Sequence, residues 1–480
     1  MLSTFSASTD GRFVAFASDA DNLVVNDTNN FRDVFVRDQM VGTNILVSVS
    51  TNGFAGDGLS SEPAISADGR YVAFTSRADN LVDGDNNGAS DVFMRDLQTG
   101  AITLVSVNST GTGPGNAASY SPIVASGGRY IVFRSKSTNL APGSFSGAEN
   151  LFLRDLQSTN IALTTAGLNG SAMTPDGHFV VFAGGGALKV WKTQPAGLIY
   201  SNNISGITNV AISPTGNRIA YWTGTSFLAT DLPGGATRTV ISNSSPASHP
   251  GLRFSADGRF LAFASATVAV GNKTNQVYLY DYSTATNRLV SIAYNSTGAG
   301  NSSSDSPDIS SDGRFVAYRS AASNLVPGDT NAVPDIFLFD TQTGATTLLS
   351  ASFLGTFAAN DRSSSPVFSG DGQTLFFQSW ASDFADGDFN QAGDVVAYSL
   401  YTSGLIPVFY VTILPGSGPG QSPWLTWPVV PGKSYRVQFK ANIGDSWQEL
   451  SGNVTLVGSQ GYYQDLTPAN SRRFYRVVGQ

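Results

Sequence analysis

The stretch EPAISADGRYVAFTSRADNLVDGDNNGASDVFMRDLQTGAITLVSV, Glu62 to Val107, contains four short runs of alternating apolar residues separated by turn residues. Asp68-Gly69 and Thr99-Gly100 are typical of tight turns, because glycine readily adopts the positive φ that such turns need. We therefore predict four antiparallel strands joined by hairpins within this one unit.

The same unit recurs along most of the 480 residues. The other copies begin STFSASTDGRFVAFAS at Ser3, SPIVASGGRYIVFRS at Ser121, SAMTPDGHFVVFAG at Ser171, NVAISPTGNRIAYWT at Asn209, GLRFSADGRFLAFAS at Gly251, SPDISSDGRFVAYRS at Ser306 and SPVFSGDGQTLFFQS at Ser365. A four-stranded blade cannot bury both faces alone, so successive blades must stack, and a ring closes the last face on the first. We predict an all-β fold in which residues 1–405 form an eight-bladed β-propeller, or a seven-bladed one if the weak fourth or fifth unit merges with a neighbour.

Composition excludes several functional classes. The chain has 51 glycines, no cysteine and only two histidines, His178 and His249, which argues against disulfides, thiolate nucleophiles and Cys/His zinc sites. The net charge of −8 without a Lys/Arg cluster argues against a nucleic-acid partner. No run of about 20 apolar residues predicts a membrane span.

A recurring pattern, S-x-D-G-R-x-x-A-F-x-S followed by a strand that ends in aspartate, resembles the TolB-like, WD-repeat-like propeller repeat of exported bacterial proteins. The strand-end residues are Asp38, Asp96, Asp155, Asp281 and Asp340, and the longer form NLVPGDTNAVPDIFLFD spans Asn324 to Asp340. The resemblance covers about 405 residues and implies a propeller. For function it implies a binding scaffold or docking module more often than an enzyme.

The loop between the second and third strands of four blades carries oxygen-bearing side chains at positions one, three, five and nine. The residues are Asp83, Asp85, Asn87 and Asp91 with the carbonyl of Ala89 in blade two; Asp386, Asp388, Asn390 and Asp394 in blade eight; Asp27, Asn29 and Asp33 in blade one; and Asp329, Asn331 and Asp335 in blade seven. Calcium takes six to eight oxygen ligands, and alternate inward-pointing side chains of such a loop could supply them. Blade two also has Gly88 at position six and looks like the calcium hairpin loops of other propellers.

Two interpretations of these loops remain open. They bind calcium as a structural ion, with blades two and eight, which have three carboxylates, binding more tightly than blades one and seven, which have two. Alternatively they are polar turns, since Asp and Asn side chains bond nearby backbone amides. The four loops share one spacing, but duplicated blades inherit a loop together and are not independent observations.

A second repeated pattern precedes the first strand of several blades. It reads Asp57-x-x-Ser60-x-x-Pro63 in blade two and recurs from Asn116, Asn301 and Asn360. We expect these residues to cap the turn between blades, because Asx and Ser side chains bond backbone amides and proline needs no amide partner at the start of a strand. The alternative is that they line one mouth of the central channel, where a ligand could bind.

After residue 405 the repeat stops, and the Gly/Pro-rich segment ILPGSGPGQSP precedes several alternating runs. We predict a small β-sandwich over residues 406–480, which resembles the short C-terminal β-modules of exported bacterial proteins. Its aromatic residues Trp424, Trp427, Trp447, Tyr462 and Tyr463 could form a sugar-binding face, but in so small a module we expect them to form the core.

These observations favour a non-enzymatic protein that acts as a binding or interaction scaffold, with a protein or carbohydrate ligand, no nucleic acid, and a monomeric state. Two histidines in separate blades do not make a metal-binding cluster, and most acidic residues lie in loops or at strand ends. The alternative is a carbohydrate-active enzyme, a glycosidase or lyase, with its site in the channel, for which paired carboxylates from different blades would be needed. Absent cysteine and weak-affinity calcium loops indicate a periplasmic or extracellular location.

Overall fold

The computed structural model describes residues 5–384 except 146, 166, 225, 248, 250, 268–273 and 353–356, residues 392–400, and the segments 412–414, 424–428, 435–440, 448–450, 454–457, 460–466 and 474–479. Two compact units make up the chain, Met1–Tyr398 and Ser399–Gln480. Regular structure in the described residues is all β-strand. None of these residues belongs to a helix long and apolar enough to cross a membrane.

The first unit is built from consecutive antiparallel sheets, one for each sequence repeat. Blades one to four comprise β1 Phe5–Ala7, β2 Phe13–Ser18, β3 Asp33–Asp38 and β4 Thr43–Leu46; β5 Ser60–Ile65, β6 Tyr71–Ser76, β7 Asp91–Asp96 and β8 Ile102–Leu104; β9 Ser119–Val124, β10 Tyr130–Ser135, β11 Asn150–Asp155 and β12 Asn160–Ala162; β13 Gly170–Met173, β14 Phe179–Gly184, β15 Ala187–Thr193 and β16 Ala196–Asn202.

The remaining blades follow the same order of strands, except that in blade six the first two short strands both pair with the strand that follows them. They comprise β17 Ile207–Ile212, β18 Arg218–Thr223, β19 Ser226–Asp231 and β20 Thr237–Ile241; β21 Ser244–Pro246, β22 Arg253–Phe254, β23 Phe260–Thr267, β24 Asn275–Asp281 and β25 Thr286–Leu289; β26 Ser304–Ile309, β27 Phe315–Ser320, β28 Asp335–Asp340 and β29 Thr346–Leu348; and β30 Ser363–Phe368, β31 Thr374–Ser379 and β32 Asp394–Ser399, the described strands of blade eight. The predicted eight-bladed propeller is therefore confirmed, and the fourth and fifth units are separate blades.

The repeated turn sequence forms the same hydrogen-bonded turn in successive blades. In blade one, Ser8 Oγ donates to Asp10 Oδ1 (2.6 Å) and accepts from Phe13 N (3.0 Å), while Gly11 has a φ of 67°. The Arg12 guanidinium pairs with Asp38 at the end of β3 (2.7 Å) and lies over the Phe13 ring. The same Arg–Asp pair joins Arg70 to Asp96, Arg129 to Asp155, Arg259 to Asp281 and Arg314 to Asp340. The repeated sequence motif thus encodes a turn and the ion pair that fixes this turn to the third strand.

Adjacent turns also bond to each other, and this closes the ring. Thr9 N donates to Ala67 O of blade two (2.9 Å), and Asp371 N of blade eight donates to Thr9 O (2.8 Å). Phe5, Val14 and Phe376 form a buried cluster across the same junction between the last blade and the first. The final blade therefore buries its face against the first, as the repeat argument requires.

Apolar clusters fill the spaces between blades. Phe74 and Phe93 are directly opposite each other in β6 and β7, their rings stack with centroids 5.8 Å apart, and both belong to the cluster shared by blades one and two. Equivalent cross-strand pairs are Phe16–Phe35, Phe133–Phe152 and Tyr318–Phe337. Burying one such aromatic side chain contributes about 2 kcal/mol to stability, so the stacking of blades dominates the stability of the propeller.

The second unit contains two small sheets. Its strands are β33 Thr412–Leu414, β34 Trp424–Pro428, β35 Tyr435–Lys440, β36 Gln448–Glu449, β37 Thr455–Val457, β38 Gln460–Gln464 and β39 Phe474–Gly479, paired in the orders β33-β34-β38-β37 and β36-β35-β39.

One apolar cluster joins the two sheets of the second unit. It contains Leu425, Trp427 and Tyr463 from the first sheet and Tyr435 and Val437 from the second. Two of the aromatic residues considered for a sugar-binding face, Trp427 and Tyr463, are thus core residues, and Tyr462 is half-buried. The Trp424 side chain and Trp447 lie outside the described residues.

Candidate functional site

The candidate calcium loops lie between the second and third strands of their blades, as the repeat predicted. Position nine is the first residue of the third strand: Asp33, Asp91 and Asp335 begin β3, β7 and β28 and are fully buried. Each carboxylate accepts a hydrogen bond from a serine at the end of the blade, Ser48 (2.5 Å), Ser106 (2.5 Å) and Ser350 (2.6 Å) respectively.

Burial raises the pKa of these three carboxyl groups. The pKa of Asp33 rises to about 6 and that of Asp91 and Asp335 to about 7, although the hydrogen bonds from serine and asparagine oppose the shift. Each serine hydroxyl in turn accepts from the backbone amide that follows the aspartate, as Val92 N does to Ser106 Oγ (3.0 Å). Position nine is therefore part of a buried polar network that ties the third strand to the fourth.

Position five links neighbouring blades. Asn87 Nδ2 donates to Asp91 Oδ2 (2.6 Å) and to Gly115 O in the connection to blade three (2.8 Å), and Asn87 Oδ1 accepts from Ala89 N (2.7 Å). The same three bonds recur around Asn29, with Gly56 O as the carbonyl, and around Asn331, with Ala359 O. These asparagines hold the loop against the next blade, a role that the sequence analysis did not predict.

Position three holds a buried carboxylate with few partners. Asp27 and Asp85 expose only 5% and 7% of their surface. Among the described residues, the two carboxylate oxygens of Asp27 have no hydrogen-bond partner, and Oδ1 of Asp85 has none either. Burial raises the pKa of Asp27, and together with nearby acidic charge it raises the pKa of Asp85 to about 6. Asp329 is also buried, and burial raises its pKa to about 6.

Position one differs from the prediction. Asp83 in blade two is exposed, as is Val25 at the same place in blade one. In blade two the backbone turns directly after position one, where Gly84 has a φ of 83°. Without Asp83, the described loops of blades one, two and seven present the same inner set, an aspartate at position three, an asparagine and a second aspartate.

The loop of blade eight is described from residue 392 onward. Asp386, Asp388 and Asn390 lie outside the described residues. Asp394 begins β32 as predicted but is exposed, whereas its counterparts in the other three blades are buried. Within the part of the chain that the structure describes, no three Asp, Glu or His side chains converge as a metal-binding group. A cation at Asp27 or Asp85 would therefore need backbone oxygens or water for most of its coordination.

The repeated Asx-x-x-Ser-x-x-Pro pattern forms hydrogen bonds with the loop that follows the second strand of its own blade. Asn116 Oδ1 accepts from Thr138 N (2.9 Å), and Asn360 Oδ1 accepts from Ser382 N (3.1 Å). Ser119 of the same pattern shares a buried hydrogen bond with Ser135 (2.9 Å). The pattern is structural in these blades, but it ties the connection between blades to the loop after the second strand of the same blade and does not cap the connection itself.

The alternative role of the same pattern, lining the channel, also has a counterpart in the structure. A cavity of about 690 Å³ lies beside the first strands of blades five to eight, and Ser306, Pro307 and the segment 363–366 line it. Arg253, Arg319, Arg362 and Trp380 complete much of its wall. None of the described residues that line this cavity is Asp or Glu.

The two histidines belong to different blades, His178 to blade four and His249 to blade six. His178 is exposed and its Nδ1 is 2.8 Å from Asp176 Oδ2 in the turn of blade four, in keeping with its interpretation as a turn residue. His249 lines the channel cavity, and its Nδ1 is 3.7 Å from Asp305 Oδ2. Asp305 in turn forms a bidentate ion pair with Arg319 (2.8 and 2.7 Å).

The chain matches no protein-family model and no curated protein sequence. Among solved structures it is similar to other propellers. The β-propeller domain of Myceliophteria thermophila Cps50 (Swd1) aligns with a TM-score of 0.40 at 12% identity, covering 66% of this chain and 93% of that one. An oligogalacturonate lyase in complex with manganese aligns with a TM-score of 0.42 at 12% identity, covering 83% and 89%.

A putative TolB from Agrobacterium tumefaciens aligns with a TM-score of 0.32 at 16% identity, covering 50% of this chain and 85% of that one. These likenesses show the propeller fold alone. Because propellers carry unrelated functions, the chemistry of this chain has to be argued from its own residues.

Proposed function

We propose that the protein is a non-enzymatic binding scaffold, exported to the periplasm or the cell exterior, in which calcium ions stabilise the acidic loops of the propeller rim. The observation that carries the calcium part is the pair of buried carboxylates at position three. A buried ionised carboxylate without hydrogen bonds is strongly disfavoured, and a bound cation or a proton must compensate it. Calcium suits oxygen ligands and would stiffen a loop that already contacts the next blade.

The channel cavity supports a binding role over a glycosidase. Two carboxylates roughly 5 to 10 Å apart are the usual requirement for glycoside hydrolysis. The described residues that line the cavity include serines, arginines, prolines, an asparagine, a histidine and a tryptophan beside a few apolar residues, and none of them is Asp or Glu. Such a lining offers hydrogen-bond donors and a stacking surface, which are the means of ligand recognition.

The calcium proposal is tested by thermal unfolding of the full chain in calcium and in chelator. A ligand that binds only the folded state at one hundred times its Kd adds about 2.7 kcal/mol per site, so Tm should rise clearly with calcium. Asp85→Asn and Asp27→Asn should each reduce that rise, because each removes a buried carboxylate with at least one oxygen that has no hydrogen-bond partner among the described residues.

Asp83→Asn is the matched control, since Asp83 belongs to the same loop and is exposed. It should leave the calcium-induced rise almost unchanged. A Tm that is indifferent to calcium and chelator in the wild-type protein would remove the metal from the proposal. An equal loss in the Asp83 and Asp85 variants would show that net charge, and not the buried carboxylate, attracts the ion.

A further inference from the structure

The first strands of four blades share a backbone irregularity next to a proline. Glu62, Ser121, Ser306 and Ser365 precede Pro63, Pro122, Pro307 and Pro366 and have φ values of 54°, 54°, 51° and 55°. The strand register shifts at the same places, as between Ser61 and Ala64 and between Ser364 and Val367. We call this residue the bulge residue of its blade. The bulge turns its amide out of the ladder of its own sheet.

In two blades the bulge amide bonds to the preceding blade. Ser121 N donates to Glu62 Oε2 (2.7 Å), and Ser121 Oγ donates to Glu62 Oε1 (3.3 Å), so the carboxylate of one blade bridges to the backbone and hydroxyl of the next. Ser306 N donates to His249 O (3.0 Å). The junction between blades two and three therefore shows how a carboxylate is recognised at a bulge residue of this protein.

The junction between blades seven and eight repeats this geometry without the carboxylate. Ser306 and Ser365 occupy the positions of Glu62 and Ser121 and are separated by the same number of residues. The Ser306 hydroxyl donates to Asp305 Oδ1 (3.2 Å), and no carboxylate of the described residues contacts Ser365. A deeper hydrogen bond joins the same two blades: Phe368 N donates to Asp308 Oδ2 (2.7 Å).

Cationic side chains surround the Ser365 bulge. The Arg362 guanidinium lies over the Trp380 ring, 4.6 Å from its centroid, and makes no ion pair within the described residues. Arg253 Nε is 3.5 Å from Asp308 Oδ1, and 58% of the Arg253 side chain is exposed. Arg319 is already matched by Asp305. The cavity is thus lined by cations in a protein whose net charge is −8.

We propose that this cavity binds a small molecule through a carboxylate group, which takes at Ser365 the place that the Glu62 carboxylate takes at Ser121. Arg362 is the charge partner, since a guanidinium held over an aromatic ring still has N–H groups to donate to a planar two-oxygen acceptor. The cavity volume lies in the range that accommodates small ligands. The inference rests on the proposed binding role and names the ligand class, but it is independent of calcium.

The test is isothermal titration calorimetry of the full chain with two carboxylates of different origin, a uronic acid disaccharide and an N-acetylated dipeptide. Each is compared with its neutral methyl ester or amide. We expect at least one acid to bind at least tenfold more tightly than its neutral form, and the one that binds identifies the source. Binding of inorganic phosphate in preference to both acids, equal binding of acid and neutral forms, or no binding would overturn the proposal.

Three variants connect binding to the bulge. Arg362→Gln should weaken binding of the acid at least tenfold. Arg77→Gln, which changes an exposed arginine of blade two outside the cavity, should leave the affinity unchanged. Ser306→Glu should abolish binding with the fold retained, because Glu62 already shows that the bulge position accepts glutamate at a positive φ. Wild-type affinity in Ser306→Glu would contradict the assignment. The calcium-induced rise in Tm is measured on the same samples and does not depend on this result, so failure of one proposal leaves the other testable.

Discussion

The loops before the third strand in blades two and six carry different residues at the same buried position. In blade two Asp91 Oδ1 accepts from Ser106 Oγ (2.5 Å), and in blade six Gln276 Oε1 accepts from Ser291 Oγ (2.6 Å). Both serines accept from the next backbone amide of the third strand, Val92 N and Val277 N. A neutral amide therefore fills the role of the aspartate, which shows that position nine is a structural acceptor whether or not it is charged.

The two loops part at position three. Blade two has the buried Asp85, whose Oδ1 has no partner among the described residues, whereas the sequence of blade six places Val270 there. The feature that distinguishes the acidic loops is thus the carboxylate at position three. The buried acceptor at position nine is common to both kinds of loop. The predictions below test this division of roles.

Gln276→Glu should produce the largest change in stability, because it puts a carboxylate at position nine of a loop that has a neutral amide there. Gln276 Nε2 donates to Ser302 O (3.1 Å), and a carboxylate cannot replace that donor and would also bury a charge. We expect a loss of about 3 kcal/mol in the free energy of unfolding at neutral pH, measured by urea denaturation. An unchanged stability would mean that the two loops are interchangeable.

Asp91→Ala should destabilise the protein by about 2 kcal/mol, since it leaves Ser106 Oγ and Asn87 Nδ2 without their acceptor. Asp91→Asn keeps one acceptor oxygen and removes a buried charge, so its loss should be about 1 kcal/mol. Urea denaturation of both variants in chelator measures the difference. Equal losses would show that the charge of Asp91, and not its acceptor oxygen, holds the third strand.

Position six gives a smaller effect of opposite sign in two acidic loops. Gly88 and Ala332 both have positive φ, 61° and 58°, and an added Cβ at Gly88 would meet no atom within 4 Å. Gly88→Ala should therefore lose about 1 kcal/mol from backbone conformation alone, and Ala332→Gly should gain about 0.5 kcal/mol. Thermal unfolding of the pair checks the signs, and a loss in both would indicate that the loop backbone differs from the one described.

Much of the propeller could be predicted from sequence because its information is local and repeated. The turn Ser8-x-Asp10-Gly11-Arg12 names its own hydrogen bonds, and Asp38 supplies the partner of Arg12 one hairpin later. The loop spacing likewise placed Asp91 at the start of its strand. The exposure of Asp83 could not be predicted from the spacing, because the spacing does not show the backbone turn with positive φ at Gly84.

The channel cavity could not be predicted from the sequence because it forms only where blades five to eight stack against one another. Arg253, Arg319 and Arg362 belong to three different blades and line one cavity only when those blades are neighbours in space. The bulge residues had a weak signal, the proline that follows each of them, but proline alone does not predict a positive φ at the residue before it. The partners of Glu62 and Ser365 follow from tertiary structure alone.

The smallest predicted effect concerns a carboxylate in the opposite situation from Asp85. The hydrogen bond and charge of Arg259 lower the pKa of Asp281 to about 2, below its ordinary 3.8, whereas burial raises the pKa of Asp85. The Arg259–Asp281 pair therefore stabilises the fold above about pH 4 and loses that contribution as the pH falls from 4 towards 2. Because Arg259 is half-exposed, solvent screens the pair, and Asp281→Asn should cost only about 0.5 kcal/mol at pH 6. Urea denaturation at pH 6 and pH 3 should show that the difference in unfolding free energy between variant and wild type shrinks at the lower pH. A difference that grows on acidification would mean that burial, as at Asp85, and not Arg259 dominates the pKa of Asp281.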